Sequence, residues 1–299
     1  MSRVLLTGAS GFVGRHALAA LAAGGHEVHA VARQRGPEVA GTIWHEANLL
    51  AGCEVVSAVE PEVLVHLAWY AEHGKFWSSL ENLRWVAASL ELLRRFADAG
   101  GRRAVIAGSC AEYEWSRERY PESSPLRPAT LYGATKHGLH VIAAALAEQE
   151  DVELAWGRLF FLYGPDEAPE RFVAALIVAM LRGEPAQMTE GSQVRDLLHA
   201  ADAGAAFAAL ADSAVTGPVN VASGNATVLR ELATLIAQRV GTPELLQLGA
   251  RPMRAGEPPS LLADVRRLRE EVGWSPSIGI YEGLDLVISW WRERLATGA

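Results

Sequence analysis

Cysteine is nearly absent. Two residues in 299, Cys53 and Cys110, cannot build a disulfide framework, which points to a reducing, cytoplasmic setting. An excess of positive charge is missing too: 27 Lys and Arg stand against 35 Asp and Glu, for a net charge of −8. A nucleic-acid-binding surface needs a basic stripe, so that class is disfavoured and room remains only for a local basic pocket. No apolar run approaches the roughly 20 residues of a membrane span. The most lipid-like stretch, Phe172–Leu181, is short and held between Arg171 and Arg182, and it reads as a core or interface helix. Near the start, Val4–Leu6 meets Gly8 instead of extending into a signal-peptide core. Low-complexity segments and clear repeats are absent, and the nine Trp are scattered as packing residues.

What is present is alternation. "RVLLTG", "EVHAVA", "TIWHEA", "VLVHLA", "RAVIAG" and "ELAWGRLF" read as short apolar strands. Between them lie Ala- and Leu-rich helical stretches over 12–23, 79–99 and 133–148. Parallel strands need a helical crossover each, so the pattern predicts an α/β fold of the Rossmann type, a doubly wound parallel sheet buried on both faces. After "FFLYGPDEAPE" the elements become smaller and mixed, with helices near 170–182, 227–240 and 280–294 and a strand at "GPVNVAS". We expect a first domain over 1–165, with about 194–223 returning to it, and a smaller, partly interleaved C-terminal domain over 166–299 for the substrate. In such sheets ligands bind beyond the carboxyl ends of the strands, where strand order reverses. The residues that follow each strand therefore matter most.

After the first strand, "TGASGFVG" places Gly8, Gly11 and Gly14 between strand and helix. One glycine makes a sharp turn, one lets a pyrophosphate approach the backbone, and one lets the helix pack close, with its N-terminus facing the phosphates. This predicts a dinucleotide site, with Phe12 and Val13 in the same loop and Leu67 and Ala68 beyond the fourth strand as further cofactor contacts. After the second strand come Arg33 and Arg35, with no acid until Glu38. A ribose hydroxyl calls for a carboxylate there and a ribose phosphate for arginine, so NADP(H) is favoured over NAD(H). Asn48 follows the third strand, where an amide can read the adenine edge.

In "LYGATKHG", Tyr132 and Lys136 lie four apart, on one face of a helix. A unit charge about 4 Å from a phenol, at an effective dielectric of ~20, contributes roughly 4 kcal/mol. That is about three pKa units, enough to bring a phenol from ~10 to near ~7. The plainer reading is a lysine lying over a half-buried tyrosine. Ser109 ends the fifth strand; it is either an ordinary turn residue or a third member of the set. Cys110 has no Cys-His partner and reads as a wall residue. His66, His137, His140 and His199 show no metal-ligand spacing and read as packing or capping residues, with no metal expected.

The ordered set "TGASGFVG", "VLVHLA", "GSCAEY", "YGATK", "GRLFFLYGP", "GSQVRDLLHAAD", "GPVNVASG" and "EEVGWSPSIGIYEGL" resembles the extended short-chain dehydrogenase/reductase superfamily. The likeness is to its NAD(P)-dependent epimerase/dehydratase branch, which modifies nucleotide-activated sugars, and it runs nearly end to end. The resemblance implies that Ser109 hydrogen-bonds the reacting sugar oxygen and that Tyr132 trades its proton. It implies that Lys136 holds the nicotinamide ribose and depresses the Tyr132 pKa. Arg195, and less strongly Arg254, would take the pyrophosphate of a nucleoside-diphosphate sugar.

Three departures stand out. Dehydratases of the family carry an Asp-Glu pair after the catalytic Ser or Thr, whereas this chain has Ala111 and Glu112; Glu112 is expected to act alone as acid or base or to face solvent. Phe161 stands where the family often has Asn in the substrate pocket. Asn82 lies about one turn early, with Trp85 in the usual asparagine place. Epimerases gain nothing from NADP specificity and dehydratases need the acid pair. The expectation is therefore an NADPH-dependent 4-ketoreductase of a nucleotide-activated 4-keto-6-deoxy sugar, before an epimerase or dehydratase. A non-catalytic NADP sensor fits less well, having no use for a tuned phenol. The helices over 80–96 and 139–146 carry more apolar surface than one sheet buries, which predicts a homodimer through a four-helix bundle.

Overall fold

The computed structural model describes residues 1–253 and 256–297. From the N-terminus the chain runs β1 (Arg3–Thr7), α1 (Gly14–Ala23), β2 (Glu27–Ala32), β3 (Thr42–Glu46), α2 (Val55–Val59), β4 (Val63–His66), α3 (Glu81–Asp98) and β5 (Arg103–Ser109). It continues through β6 (Arg119–Tyr120), α4 (Leu131–Gln149), β7 (Glu153–Leu159), β8 (Phe161–Tyr163), α5 (Phe172–Leu181), β9 (Ala186–Gln187) and β10 (Val194–His199). The last part holds α6 (Ala200–Asp212), β11 (Gly217–Val221), β12 (Ala226–Val228), α7 (Leu229–Val240), β13 (Leu246–Gln247), β14 (Ser260–Ala263) and α8 (Ile280–Ala296).

Seven parallel strands form the main sheet in the order β11-β7-β5-β4-β1-β2-β3. Side chains along each strand alternate between two cores. In β1, Val4 and Leu6 join Leu18, Leu21 and Phe207 of α1 and α6, while Leu5 joins Leu92, Phe96 and Leu139 of α3 and α4. Helices thus cover both faces, and the doubly wound Rossmann fold is as expected. The chain grows outward one way through β2 and β3 and the other way from β4, so order reverses between β1 and β4. Thr7 and His66 are register partners there, and the segments that leave them open the crevice in which a ligand binds.

The smaller region is built on β10, which pairs with β8, β12 and β14, with β14 carrying β6. A third core lies among α5, α7 and α8. The returning segment is shorter than expected from the sequence. Residues 200–221, as α6 and β11, rejoin the large sheet, but β10 at 194–199 belongs to the smaller one. Conversely β6 and β8, inside the expected first domain, cross over. The apolar run "LAWGRLFFLY" looks like one strand, yet it changes sheets: Phe160 donates its N–H to Val221 O of the large sheet, and Phe161–Tyr163 then pair with Leu197–His199. No helix among the described residues is long and apolar enough to cross a membrane.

Candidate active site

The glycine loop is shaped by close approach. Gly8 has φ +71°, and a Cβ there would come within 2.8 Å of the Ala68 backbone N at the end of the neighbouring strand. A Cβ at Gly14 would run into Gly8 O, to which Gly11 N–H donates at 2.9 Å. α1 begins with no side-chain cap on Val13 and no acid in its first turn. The Arg15, His16 and Ala17 N–H groups donate to the Gly11 and Val13 carbonyls, and the helix dipole still puts its positive end at the glycine loop, suited to a dinucleotide pyrophosphate. Phe12, Val13 and Leu67 pack partly buried beside the loop, and Ala68 N–H donates to Thr7 Oγ1 at 3.4 Å. Thr7 and Ser89 hydrogen-bond the two ring nitrogens of His66, and burial holds that imidazole down to about 3, so it stays neutral.

Beyond β2, Arg33 and Arg35 are exposed. Arg35 reaches Glu46 at 3.3 Å, whereas Arg33 has no ion pair among the described residues. Asn48 turns its Oδ1 onto the Leu50 N–H at 3.2 Å, which leaves its NH2 group for an incoming acceptor.

Ser109, Tyr132 and Lys136 come together at the other lip of the crevice. Ser109 closes β5 and starts a short turn, accepting the Ala111 N–H at 3.2 Å while Glu112 Oε1 accepts the Ser109 N–H at 2.7 Å. Thr130 caps α4 through the Gly133 N–H, so Tyr132 sits in the first helical turn. Its N–H donates to Trp77 O, and Phe76 and Trp77 meet its ring edge to face at 4.9 and 5.8 Å. Burial pushes the Tyr132 phenol up to about 12, with the Ser109 hydroxyl's hydrogen bond opposing. One turn on, Lys136 Nζ donates to Ala107 O at 2.9 Å and lies 3.6 Å over the Trp69 ring. Burial lowers its pKa to about 7, with the Glu112 carboxylate opposing.

This corrects the expected electrostatics. Cys110, Glu112 and Arg171 join burial and Ser109 as the main influences on Tyr132, and Lys136 is not among them. The ammonium is held by the Ala107 carbonyl and the Trp69 face, and burial is the largest influence on the phenol.

The model of the NAD dependent epimerase/dehydratase family matches residues 4–222. The chain belongs to this family. UDP-glucuronic acid decarboxylase 1 of Xenopus tropicalis is 28% identical over 98% of this chain and 73% of its own length. UDP-glucose 4-epimerase of Mycolicibacterium smegmatis is 27% identical over 98% of this chain and 99% of its own. Among solved structures, MoeE5 in complex with UDP-glucuronic acid and NAD superposes with a TM-score of 0.88 at 30% identity, covering 98% of this chain and 99% of that one.

Within the NAD-dependent epimerase/dehydratase family, one departure to follow is the carboxylate beside the serine. Glu112 is fully buried and does not face solvent. Its oxygens accept from Ser109 N, from Trp156 Nε1 at 2.9 Å and from Arg158 Nε at 2.9 Å, and Arg158 is itself buried. A carboxylate so committed braces the serine turn and is not free to move a proton to or from carbon. His137 and His140 do approach Glu112, with one donor atom from each residue within 4.8 Å, although their sequence spacing gave no such hint. Both Glu112 oxygens are spent on other donors, His140 stacks on Trp156 at 4.8 Å, and His137 Nδ1 has no hydrogen-bond partner among the described residues. Burial pushes the Cys110 thiol up to about 12, which suits a wall residue and not a nucleophile.

On the substrate side, Arg195 is buried, pairs with Glu257 at 2.8 Å and lies 5.3 Å over the Phe161 ring. Its charge reaches the Cys110 thiol, next in sequence to Ser109. Asp196, the next residue on β10, points elsewhere and accepts from Ser223, Gly224 and Ala263. Arg254 lies outside the described residues.

Sequence reasoning missed the aromatic residues. Trp69 and Trp77 follow β4 and Trp115 follows β5, and Trp77 meets Trp115 edge to face at 6.5 Å. Their position after the carboxyl ends of central strands was the available signal. Asn82, offset by a turn from the family's asparagine, is fully buried and accepts the Trp69 Nε1–H at 2.9 Å.

Proposed function

We propose that this chain reduces a nucleotide-activated 4-keto-6-deoxy sugar with NADPH. The observation that carries this reading is the geometry of the site: Ser109 reaches the Tyr132 hydroxyl, the Glu112 carboxylate beside it is tied to Trp156 and Arg158, and burial pushes the phenol up to about 12, toward its protonated form. A buried neutral phenol is prepared to give a proton to an oxygen that is gaining charge, which is what ketone reduction asks of it. A reaction that begins by oxidising an alcohol asks for the opposite state.

The residues divide the work as follows. The glycine loop would hold the pyrophosphate of the dinucleotide, and the reduced nicotinamide would supply the hydride that the carbonyl carbon accepts. Ser109 donates a hydrogen bond to the carbonyl oxygen and aligns it with Tyr132. Tyr132 transfers its proton to that oxygen as the C–O double bond becomes single, and the phenolate is reprotonated from solvent. Lys136, with one N–H on Ala107 O, has two left for the ribose hydroxyls and lends positive charge while Tyr132 is anionic. Arg195 offers a guanidinium to the pyrophosphate. With Glu112 tied to Arg158, no carboxylate next to Ser109 is free to abstract a carbon-bound proton, which disfavours dehydration. Arg33, exposed and unpaired, supports NADP(H) through its fit to a ribose phosphate.

A second reading, nucleotide-sugar 4-epimerisation with retained NAD, is favoured by the UDP-glucose 4-epimerase relative and by the NAD complex reported above. One assay separates the two. With a nucleoside-diphosphate 4-keto-6-deoxyhexose, a reductase consumes one NADPH per sugar. Sugar conversion with the NADPH intact would establish the second reading in its place.

A further inference from the structure

Lys136 is a buried cation with no ion pair among the described residues. Such a group ordinarily loses its charge or acquires an anionic partner. What it has instead is one carbonyl, Ala107 O at 2.9 Å, and the face of one indole at 3.6 Å. An ammonium over an aromatic face is held by the ring's negative quadrupole, more strongly where water is excluded.

That indole is itself fixed at its edge. Trp69 Nε1–H donates to Asn82 Oδ1, and the Asn82 amide donates to Phe76 O at 2.6 Å and Ser79 O at 2.8 Å. Asn82 therefore locks the ring plane to the same loop whose Phe76 and Trp77 wall Tyr132. Trp85 backs the indole at 6.2 Å between ring centroids.

We infer that Trp69 is a positioning residue for Lys136: its ring face keeps the ammonium charged and aimed into the crevice, and Asn82 sets the plane of that ring. The other groups around Lys136 leave this role open. From the turn after β5, Glu112 attracts the ammonium, but Arg158 and Trp156 already hold that carboxylate. From β4, His66 is kept neutral by burial and offers no charge. From its own helix, Tyr132 is a neutral phenol. Burial, opposed by Glu112, brings Lys136 down to about 7, so an aromatic face 3.6 Å away bears directly on its charge near neutral pH.

This inference rests on Lys136 being the cofactor-side cation, yet its test reads the ammonium itself and needs neither substrate nor turnover. The chain has two lysines, Lys75 and Lys136, so the full-length protein carrying 13C-labelled lysine shows two side-chain signals. Lys75 is exposed and serves as an internal reference. Titrated by NMR, Trp69→Leu is expected to lower the Lys136 midpoint by about half to one and a half units, a roughly three- to thirty-fold change in the protonation equilibrium. Trp69→Phe, which keeps an aromatic face, is expected to restore most of it. A midpoint that stays put or rises in Trp69→Leu overturns the inference, because a mere lid acts by excluding water and its loss relieves desolvation. A tetrafluorinated tryptophan at position 69 keeps the shape and weakens the quadrupole. It should lower the midpoint too, and no shift there overturns the inference even if the leucine variant fails to fold. Neither negative result touches the proposed reduction, which the NADPH assay tests separately.

Discussion

Glu112 and Arg158 form a pair with essentially no solvent on either side chain. Removing one partner of such a pair strands the other, at a cost of about 3–5 kcal/mol, whereas replacing both by apolar groups of similar size is far milder. Glu112→Gln is thus expected to lower the denaturation midpoint strongly, and Glu112→Gln with Arg158→Met to recover part of it, measured by urea unfolding with unchanged slope. Tyr132→Phe keeps the ring contacts with Phe76 and Trp77 and deletes only the proton donor. Turnover should fall by about 10²–10⁴ while dinucleotide binding, followed by fluorescence, stays. A residue outside the catalytic set gives the pH test. Glu167 is buried, its Oε2 has no hydrogen-bond partner among the described residues, and burial raises its pKa to about 7 from 4.5, with Arg171 opposing. The unfolded chain loses this proton near 4.5 and the folded chain holds it to about 7, so the folded state binds more protons between those values. Stability from this group therefore falls as pH rises through that window, by on the order of 3 kcal/mol in total, and is flat above it. Glu167→Gln should abolish that fall when unfolding midpoints at about pH 5 and pH 8 are compared.

At the scale of elements, the β1–α1 turn is the most constrained joint in the cofactor crevice. Gly14→Ala places a methyl against Gly8 O, so α1 must back away from the strand it follows. We expect about tenfold or greater loss of NADPH affinity by titration calorimetry, and a retained affinity would show that the cradle tolerates a wider opening. The glycines, the strands of the large sheet and most helices were legible because each is a local signal: a turn needing positive φ, an apolar run, a 3.6-residue period. The short strands of the smaller sheet were not. α6 was not read as a helix. Its "AADAGAAFAALAD" is buried nearly all round, between α1 and the sheet, so it shows no polar face. The β7-to-β8 change of sheet was equally silent, since an apolar strand does not declare its neighbour. Within the site, Ser109, Tyr132 and Lys136 could be singled out as a set through the family resemblance of their motifs, but their electrostatics could not. Whether a lysine charge or desolvation sets the Tyr132 phenol depends on Phe76, Trp77 and Trp69, which arrive from a loop that carries no periodicity.

Across the whole molecule, the outer faces of α3 and α4 carry one group of the large apolar residues that the fold leaves exposed, others lying on β3 and α8. Leu139 and Phe96, which the sequence pattern drew into the same stripe, are spent inside the protein. What stays outside is Leu83 at 52%, Val141 at 55% and Ile142 at 50% exposure, with Leu80 at 72% at the start of α3. Ala134, Gly138, Val141 and Ala145 fall on one line of α4, small enough to let another helix come close. Two such helix pairs meeting across a two-fold would bury these residues in a four-helix bundle, and a stable interface of that kind takes roughly 800 Å² from each partner. We therefore expect light scattering to give about twice the 32.1 kDa chain mass at micromolar concentration. Val141→Glu combined with Leu83→Glu places charges on both helices at the contact and should yield a folded monomer. α4 also carries Tyr132 and Lys136 in its first turns, on the side opposite the exposed line, so a partner pressed against α4 would steady the catalytic pair. The monomeric variant should then unfold at lower temperature and lose NADPH affinity, although no substituted residue touches the crevice. A wild-type mass of one chain at that concentration would end this line of reasoning.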